Sequence, residues 1–219
     1  MTTVRSVAAA DGASLHVRLD GPQDAPVTVV LVHGWSLDRR SWGPVARSLA
    51  TGPTPVRVVR LDHRGHGRSA AVDPETMTID QLADDLAEVV AATAPDGPLV
   101  LGGHSMGGMT LMALAERHPD VVARAGGIAL VATASGGLAE RPFGLAAPVA
   151  AVYRRVEGWF YGSRRWSGRE CLGDPRVIAP AARWLLLGTR PSAEARRITC
   201  EVVAACRLKR LVSQLAAAA

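Results

Sequence analysis

Ser105 stands in Gly103-His104-Ser105-Met106-Gly107, a G-x-S-x-G spacing. A serine hydroxyl is a poor nucleophile unless a base takes its proton and donors meet the charge that develops. A tight strand-to-helix turn would supply part of this. It lifts the Ser105 hydroxyl above a sheet and aims the Met106 N–H, at the helix start, toward a developing oxyanion. Gly103 and Gly107 leave room for such a turn, because a Cβ at either place would collide with neighbouring backbone. The plainer reading is a Gly-rich turn with a passive serine. A second group, His33-Gly34-Trp35, bears on that choice. A strand ending in His-Gly-aromatic can offer a second oxyanion donor, here the Trp35 N–H. Trp35 also reads as an aromatic pocket wall, and both roles can hold together. His33 reads as a brace for its loop rather than as a base.

These groups need rigid elements to hold them. Residues 14–19 alternate like a half-exposed strand. Val27 to Val32 is a continuous β-branched run, the pattern of a strand buried on both faces, and it leads into His33-Gly34-Trp35. A short helix is expected around Trp42 to Ala50, then a buried strand over Val56 to Leu61 ending in the loop Asp62 to Ser69. Thr78-Ile79-Asp80-Gln81 reads as a capping box before a helical stripe of Leu82, Leu86, Val89 and Val90. Pro95 to Pro98 breaks that helix. Leu99 to Gly102 is a third buried strand running into the Ser105 turn, and a helix continues to about His118, where Pro119 stops it. Ile128 to Val131 reads as a fourth buried strand. Strands and helices alternating at this spacing imply βαβ units and a mostly parallel sheet. After about Ser135 the pattern becomes Ala-, Arg- and Trp-rich, with helical stretches near 144–161, 176–187 and 192–215. We therefore divide the chain into a core, residues 1–135, and a helical cap or lid, residues 136–219.

Three motifs now stand in order: Val29 to Trp35, the Asp62-x-Arg64-Gly65-x-Gly67-x-Ser69 loop, and Gly103 to Gly108. Over residues 14–135 the chain resembles the α/β-hydrolase superfamily, in its serine-nucleophile esterase, lipase and perhydrolase-like branch. Epoxide hydrolases and haloalkane dehalogenases of this fold use Asp as nucleophile, which Ser105 argues against. The resemblance implies an α/β-hydrolase fold: a mostly parallel sheet with flanking helices and a helical cap after the sixth strand. It implies Ser105 as nucleophile, Trp35 and Met106 as oxyanion-hole donors, and His33, Gly34, Gly103 and Gly107 in support. The substrate class would be a small ester or related acyl compound, attacked through an acyl-serine intermediate. No cofactor and no metal are implied.

The resemblance also implies two strands after the cap, carrying a catalytic acid and then a histidine. No run resembling either follows residue 135, and no histidine follows His118. The others are His16, His33, His63, His66 and His104, none where the family places its base. Three expectations follow: a truncated hydrolase that is weakly active or inactive, a catalytically dead binding protein, or an enzyme whose acid and base arrive on another chain. Without the two strands, Ile128 to Val131 would lie at a sheet edge, and self-association through that edge is expected.

Composition adds little. With 219 residues and 48% hydrophobic content the chain can bury a core. No apolar run is long enough to span a membrane, and the N-terminus lacks the apolar region of a secretory signal, so a cytoplasmic protein is expected. Cys171, Cys200 and Cys206 suggest neither a disulfide framework nor a zinc site. Residues 1–140 hold 11 basic and 15 acidic residues, and residues 141–219 hold 14 and 5. A basic half can attract anions, lipids or nucleic acid. With one lysine, no asparagine and arginine throughout, coding bias accounts for it, and no nucleic-acid partner is expected.

Overall fold

The computed structural model describes residues 2–54, 56–136, 180 and 186–205. The elements are β1 (Thr2–Ala8), β2 (Ser14–Asp20), β3 (Thr28–Val32), α1 (Gly43–Ala50), β4 (Arg57–Leu61), α2 (Ile79–Thr93), β5 (Leu99–His104), α3 (Met106–Arg117), α4 (Pro119–Ala123), β6 (Ala125–Val131) and α5 (Ala193–Ala204). The strands form one sheet in the order β1-β2-β4-β3-β5-β6. β1 and β2 pair antiparallel, as do β2 and β4, and the remaining neighbours are parallel. The parallel pairs place the C-terminal ends of β3, β4 and β5 on one rim, so the loops that follow them are neighbours. In open α/β sheets that rim is where ligands bind.

Residues one apart on a strand face opposite sides. Val30 and Val32 of β3, Val59 and Leu61 of β4, and Leu99 and Leu101 of β5 join Leu86, Val89 and Val90 of α2 and Leu111 and Leu114 of α3 in the larger core. Val29, Leu31 and Val58 face the other way, onto Ala46 of α1. This two-sided burial is why these strands read as unbroken apolar runs. α2 starts at Thr78, whose hydroxyl accepts from the Gln81 N–H at 3.1 Å. Only that half of the expected capping box forms, because the Gln81 amide turns to Asp85 at 3.3 Å instead. α3 ends at Arg117, and Pro119, at the first position of α4, opens a new short helix, where its missing N–H costs nothing.

Two readings need correction. β1 was not anticipated; its residues are mostly exposed, so burial imposes no pattern on its sequence. Ile128 to Val131 read as a buried strand, yet Ile128, Leu130 and Val131 are 45%, 49% and 44% exposed, as the alternative expectation of a sheet edge implies. Among the described residues β6 pairs with β5 alone, so it lies at the edge of the sheet. The expected helical stretch at 144–161, most of 176–187 and residues 206–215 lie outside the described residues, as do Cys171 and Cys206. Within 192–215 the described part is helical, as α5. Ion pairs of Arg47 with Glu194, at 2.7 Å, and of Arg40 with Glu201, at 3.7 Å, join α5 to the segment after β3.

Candidate active site

β5 ends at His104 and α3 begins at Met106, which leaves Ser105 alone to turn the chain. Its φ of 52° and ψ of −121° lie where residues with a Cβ are rare. Such a conformation costs on the order of 1–3 kcal/mol and persists only when its surroundings over-determine it. They do so here. The Ser105 N–H donates to Val131 O at 2.9 Å, and its carbonyl accepts from the Gly108 N–H at 2.8 Å and the Met109 N–H at 3.2 Å. The Thr133 hydroxyl adds a fourth bond, to the same carbonyl, at 2.8 Å. Val131 and Thr133 flank the end of β6, so the edge strand clamps the turn. Thr133 carries no local sequence signal, and only the parallel pairing of β5 with β6 brings it here.

The glycines of the motif are there for space. A Cβ on Gly103 would lie 2.5 Å from Gly107 O and 2.7 Å from the Gly108 Cα. One on Gly107 would strike Val32 O and come within 2.7 Å of His33 O. The first helical turn thus rests directly on the end of β3. Gly34 is equally tight: a Cβ there would sit 3.1 Å from the Ser105 Cβ and 2.9 Å from His104 Nδ1. The His33-Gly34-Trp35 segment therefore lies against the Ser105 turn. Trp35 is half-buried, and its indole Nε1 has no hydrogen-bond partner among the described residues.

His33 is fully buried and its bonds define its tautomer. Nε2 accepts from the His63 N–H at 3.0 Å, so the proton sits on Nδ1, which donates to Gly34 O at 2.8 Å. Burial holds its pKa below the ordinary value. A neutral imidazole engaged at both nitrogens braces the loop. His63 Nε2 lies 3.1 Å from His33 O, to which it donates, and burial pushes the His63 pKa well down. The His63 and His66 rings lie 4.5 and 5.3 Å from that of His33. His118 pairs with Asp84 at 2.8 Å. Among the described residues, no histidine or carboxylate hydrogen-bonds the Ser105 hydroxyl, and no group of three His, Cys, Asp or Glu is arranged to hold a metal ion.

The Asp62 to Ser69 loop is a scaffold. The buried Asp62 carboxylate accepts from the Arg39 N–H at 2.8 Å, Arg39 Nη1 at 2.6 Å and the Arg68 N–H at 3.0 Å. Gly67, at φ 51°, packs on that carboxylate where a Cβ would overlap it. The Ser69 hydroxyl donates to Asp62 O at 2.5 Å and accepts from the His16 N–H at 2.9 Å. Arg64, fully buried, forks onto Asp85 at 2.6 and 2.7 Å and onto Asp11 at 2.7 and 3.2 Å. Burial by itself would lower the Arg64 pKa, but the Asp85 and Asp11 carboxylates outweigh it and hold it above its ordinary value. A pocket of about 200 Å³ lies beside this loop, between Ser36 to Arg40, Gly65 to Arg68, and Val202 and Ala205. Ser105 does not line it.

Comparison with known proteins points the same way as this geometry. The chain is 40% identical over 117 residues to a bifunctional esterase/perhydrolase of Acinetobacter calcoaceticus, covering 52% of this chain and 40% of the relative. It is 38% identical over 109 residues to lipase LipV of Mycobacterium tuberculosis, covering 50% and 39%. The chain thus spans about two fifths of each of these relatives in the matched region. A thermophilic esterase from Thermogutta terrifontis superposes with a TM-score of 0.70 at 25% identity, over 98% of this chain and 71% of that one. Residues 29–219 match the family profile described as alpha/beta hydrolase. The strained Ser105 turn, the sheet order beneath it and that match over most of the sequence place this chain in the alpha/beta hydrolase family.

Proposed function

We propose that Ser105 is the nucleophile of an esterase-like hydrolase acting on a small ester or related acyl compound. The Ser105 oxygen would attack the acyl carbon, and the tetrahedral oxyanion would collapse to an acyl-serine as the alcohol leaves with a proton. Water would then attack the acyl-serine, releasing the acid and restoring the hydroxyl. The Met106 and Trp35 N–H groups would receive the oxyanion, with Gly34 letting their loops approach. One observation carries this reading: the left-handed backbone of Ser105, held by four hydrogen bonds, a cost with no packing gain of its own. The esterase and lipase relatives support the substrate class.

Among the described residues no base or acid stands at the Ser105 hydroxyl. His33 and His63 are neutral and engaged elsewhere, and no histidine follows His118. We propose that the base and acid belong to a segment outside these 219 residues, whose strands would extend the sheet beyond β6, and that residues 136–219 serve as the cap. Such a protein would act in the cytoplasm; no helix among the described residues is long and apolar enough to cross a membrane. Left without that segment, the chain would self-associate through β6. The reading is tested by hydrolysis of short p-nitrophenyl esters. The chain alone should run barely above background, since an oxyanion hole without its base retains only about 10³-fold acceleration. Turnover at the ordinary rate of about 1–10³ s⁻¹, lost in Ser105→Ala, would overturn the missing-base part. Equal activity in Ser105→Ala of a chain turning over at that ordinary rate would overturn the nucleophile.

A further inference from the structure

The pocket beside the Asp62 to Ser69 loop is not used by this mechanism, and its chemistry is specific. Two of its arginines are already engaged. Arg39 holds Asp62, and Arg40 holds Asp38 through its backbone N–H at 2.7 Å, Nε at 2.9 and 3.1 Å and Nη2 at 2.8 Å. Arg68 differs. Its backbone N–H binds Asp62, but its exposed guanidinium meets no carboxylate among the described residues. Arg39 is 8% exposed, and its Nε–H is buried with no partner among the described residues. Asp62 and Asp38 are taken by Arg39 and Arg40, with Glu201 also 3.7 Å from Arg40, so among the described residues Arg68 is the pocket arginine with no carboxylate and the Arg39 Nε–H is an unused buried donor.

Leu37, and Val202 and Ala205 at the end of α5, give the pocket an apolar part of its lining. A volume of about 200 Å³ exceeds by several-fold the share of one water, about 30 Å³. We propose that this pocket binds the carboxylate of a small organic acid, with the carboxylate on Arg68 and the hydrocarbon against Leu37 and α5. A guanidinium offers paired donors that match a carboxylate's two oxygens. The apolar part of the lining is what favours an organic acid over an inorganic anion.

Its position ties it to the reaction site. Ser36 lines the pocket, and Gly34, two residues before it, abuts Ser105. Two Cα steps of about 3.8 Å separate them at most. Resting on Ser105 as nucleophile, the inference adds that the preferred acyl compound carries a carboxylate remote from the scissile bond.

Isothermal titration calorimetry on the full chain tests the binding step without hydrolysis. Succinate should bind with a dissociation constant on the order of 1 mM, the weak range of a ligand with few atoms. Arg68→Gln, a surface change that leaves the melting temperature in place, should weaken it about tenfold or more. Ser105→Ala should bind succinate as the parent does, so a failed nucleophile assignment leaves this result standing. Uncharged succinamide should give no binding, and inorganic phosphate should bind more weakly than succinate. Unchanged affinity in Arg68→Gln, equal binding of succinamide, phosphate binding as tight as succinate, or no heat from succinate at about 50 mM would each overturn the proposal.

Discussion

Gly107→Val tests whether the Ser105 turn is as tight as its geometry implies. A Cβ at Gly107 would overlap Val32 O and lie 2.7 Å from both His33 O and the Val32 carbonyl carbon. All three are backbone atoms at the end of β3, a strand hydrogen-bonded on both sides, so no side chain can swing away. The helix start must retreat from the sheet or the strand must bend, and valine adds two more methyl groups to the clash. Overpacking of this kind costs about 1–3 kcal/mol, occasionally more. At about 2–4 °C per kcal/mol for a chain of this size, the melting temperature should fall by roughly 2–12 °C. Ser105→Ala is the comparison. It keeps the positive φ and removes one hydroxyl with no hydrogen-bond partner among the described residues, so its effect should stay within about 0.5 kcal/mol. Thermal melts followed by circular dichroism read both. Equal melting temperatures would refute the packing argument.

Asp85→Ala should cost about 3 kcal/mol in urea melts, because it leaves the buried Arg64 guanidinium only the part-exposed Asp11 carboxylate and orphans its Nε–H. Asp84→Ala, which breaks part-exposed pairs with Arg117 and His118, should cost no more than about 1 kcal/mol. Stability should fall as the pH drops below 6.5. His33 and His63 have folded-state values held below that figure by burial, so the unfolded chain binds their protons first. A His63→Asn variant should lose part of this slope, and an unchanged slope would contradict the assignment. If the parent chain self-associates through β6 in light scattering, Ile128→Lys, on the edge strand of the described sheet, should reduce it, whereas a parent chain that is monodisperse at micromolar concentration would remove the expectation.

The sequence was most legible where burial is two-sided. β3, β4 and β5 are recognisable because every residue of an interior strand faces a helix layer, so the pattern is continuous. The Ser105 turn was legible for a steric reason, since glycines at 103 and 107 are what a strand resting on a helix start demands. The scaffold role of Asp62, Arg64, Gly67 and Ser69 was not legible, as it depends on Arg39, Asp85 and Asp11, which lie far away in sequence. Thr133 was missed for the same reason. Ile128 to Val131 misled in burial because its apolar content is that of an interior strand, while its exposure depends on which strands stand beside it. Nothing in the sequence suggested the Arg68 pocket, because α5 supplies part of its lining from more than 130 residues away.

The central claim is that Ser105 takes the acyl group. The most direct test is a pre-steady-state burst measured with p-nitrophenyl acetate, on the chain joined to a C-terminal segment from an esterase relative that carries the family's last two strands. The account predicts a burst of about one p-nitrophenolate per chain, steady turnover of at least about 1 s⁻¹, and an acetyl group mapped by mass spectrometry to Ser105. Both burst and adduct should vanish in Ser105→Ala. A folded, active fusion whose burst survives Ser105→Ala, or whose acetyl group maps to another residue, would contradict it.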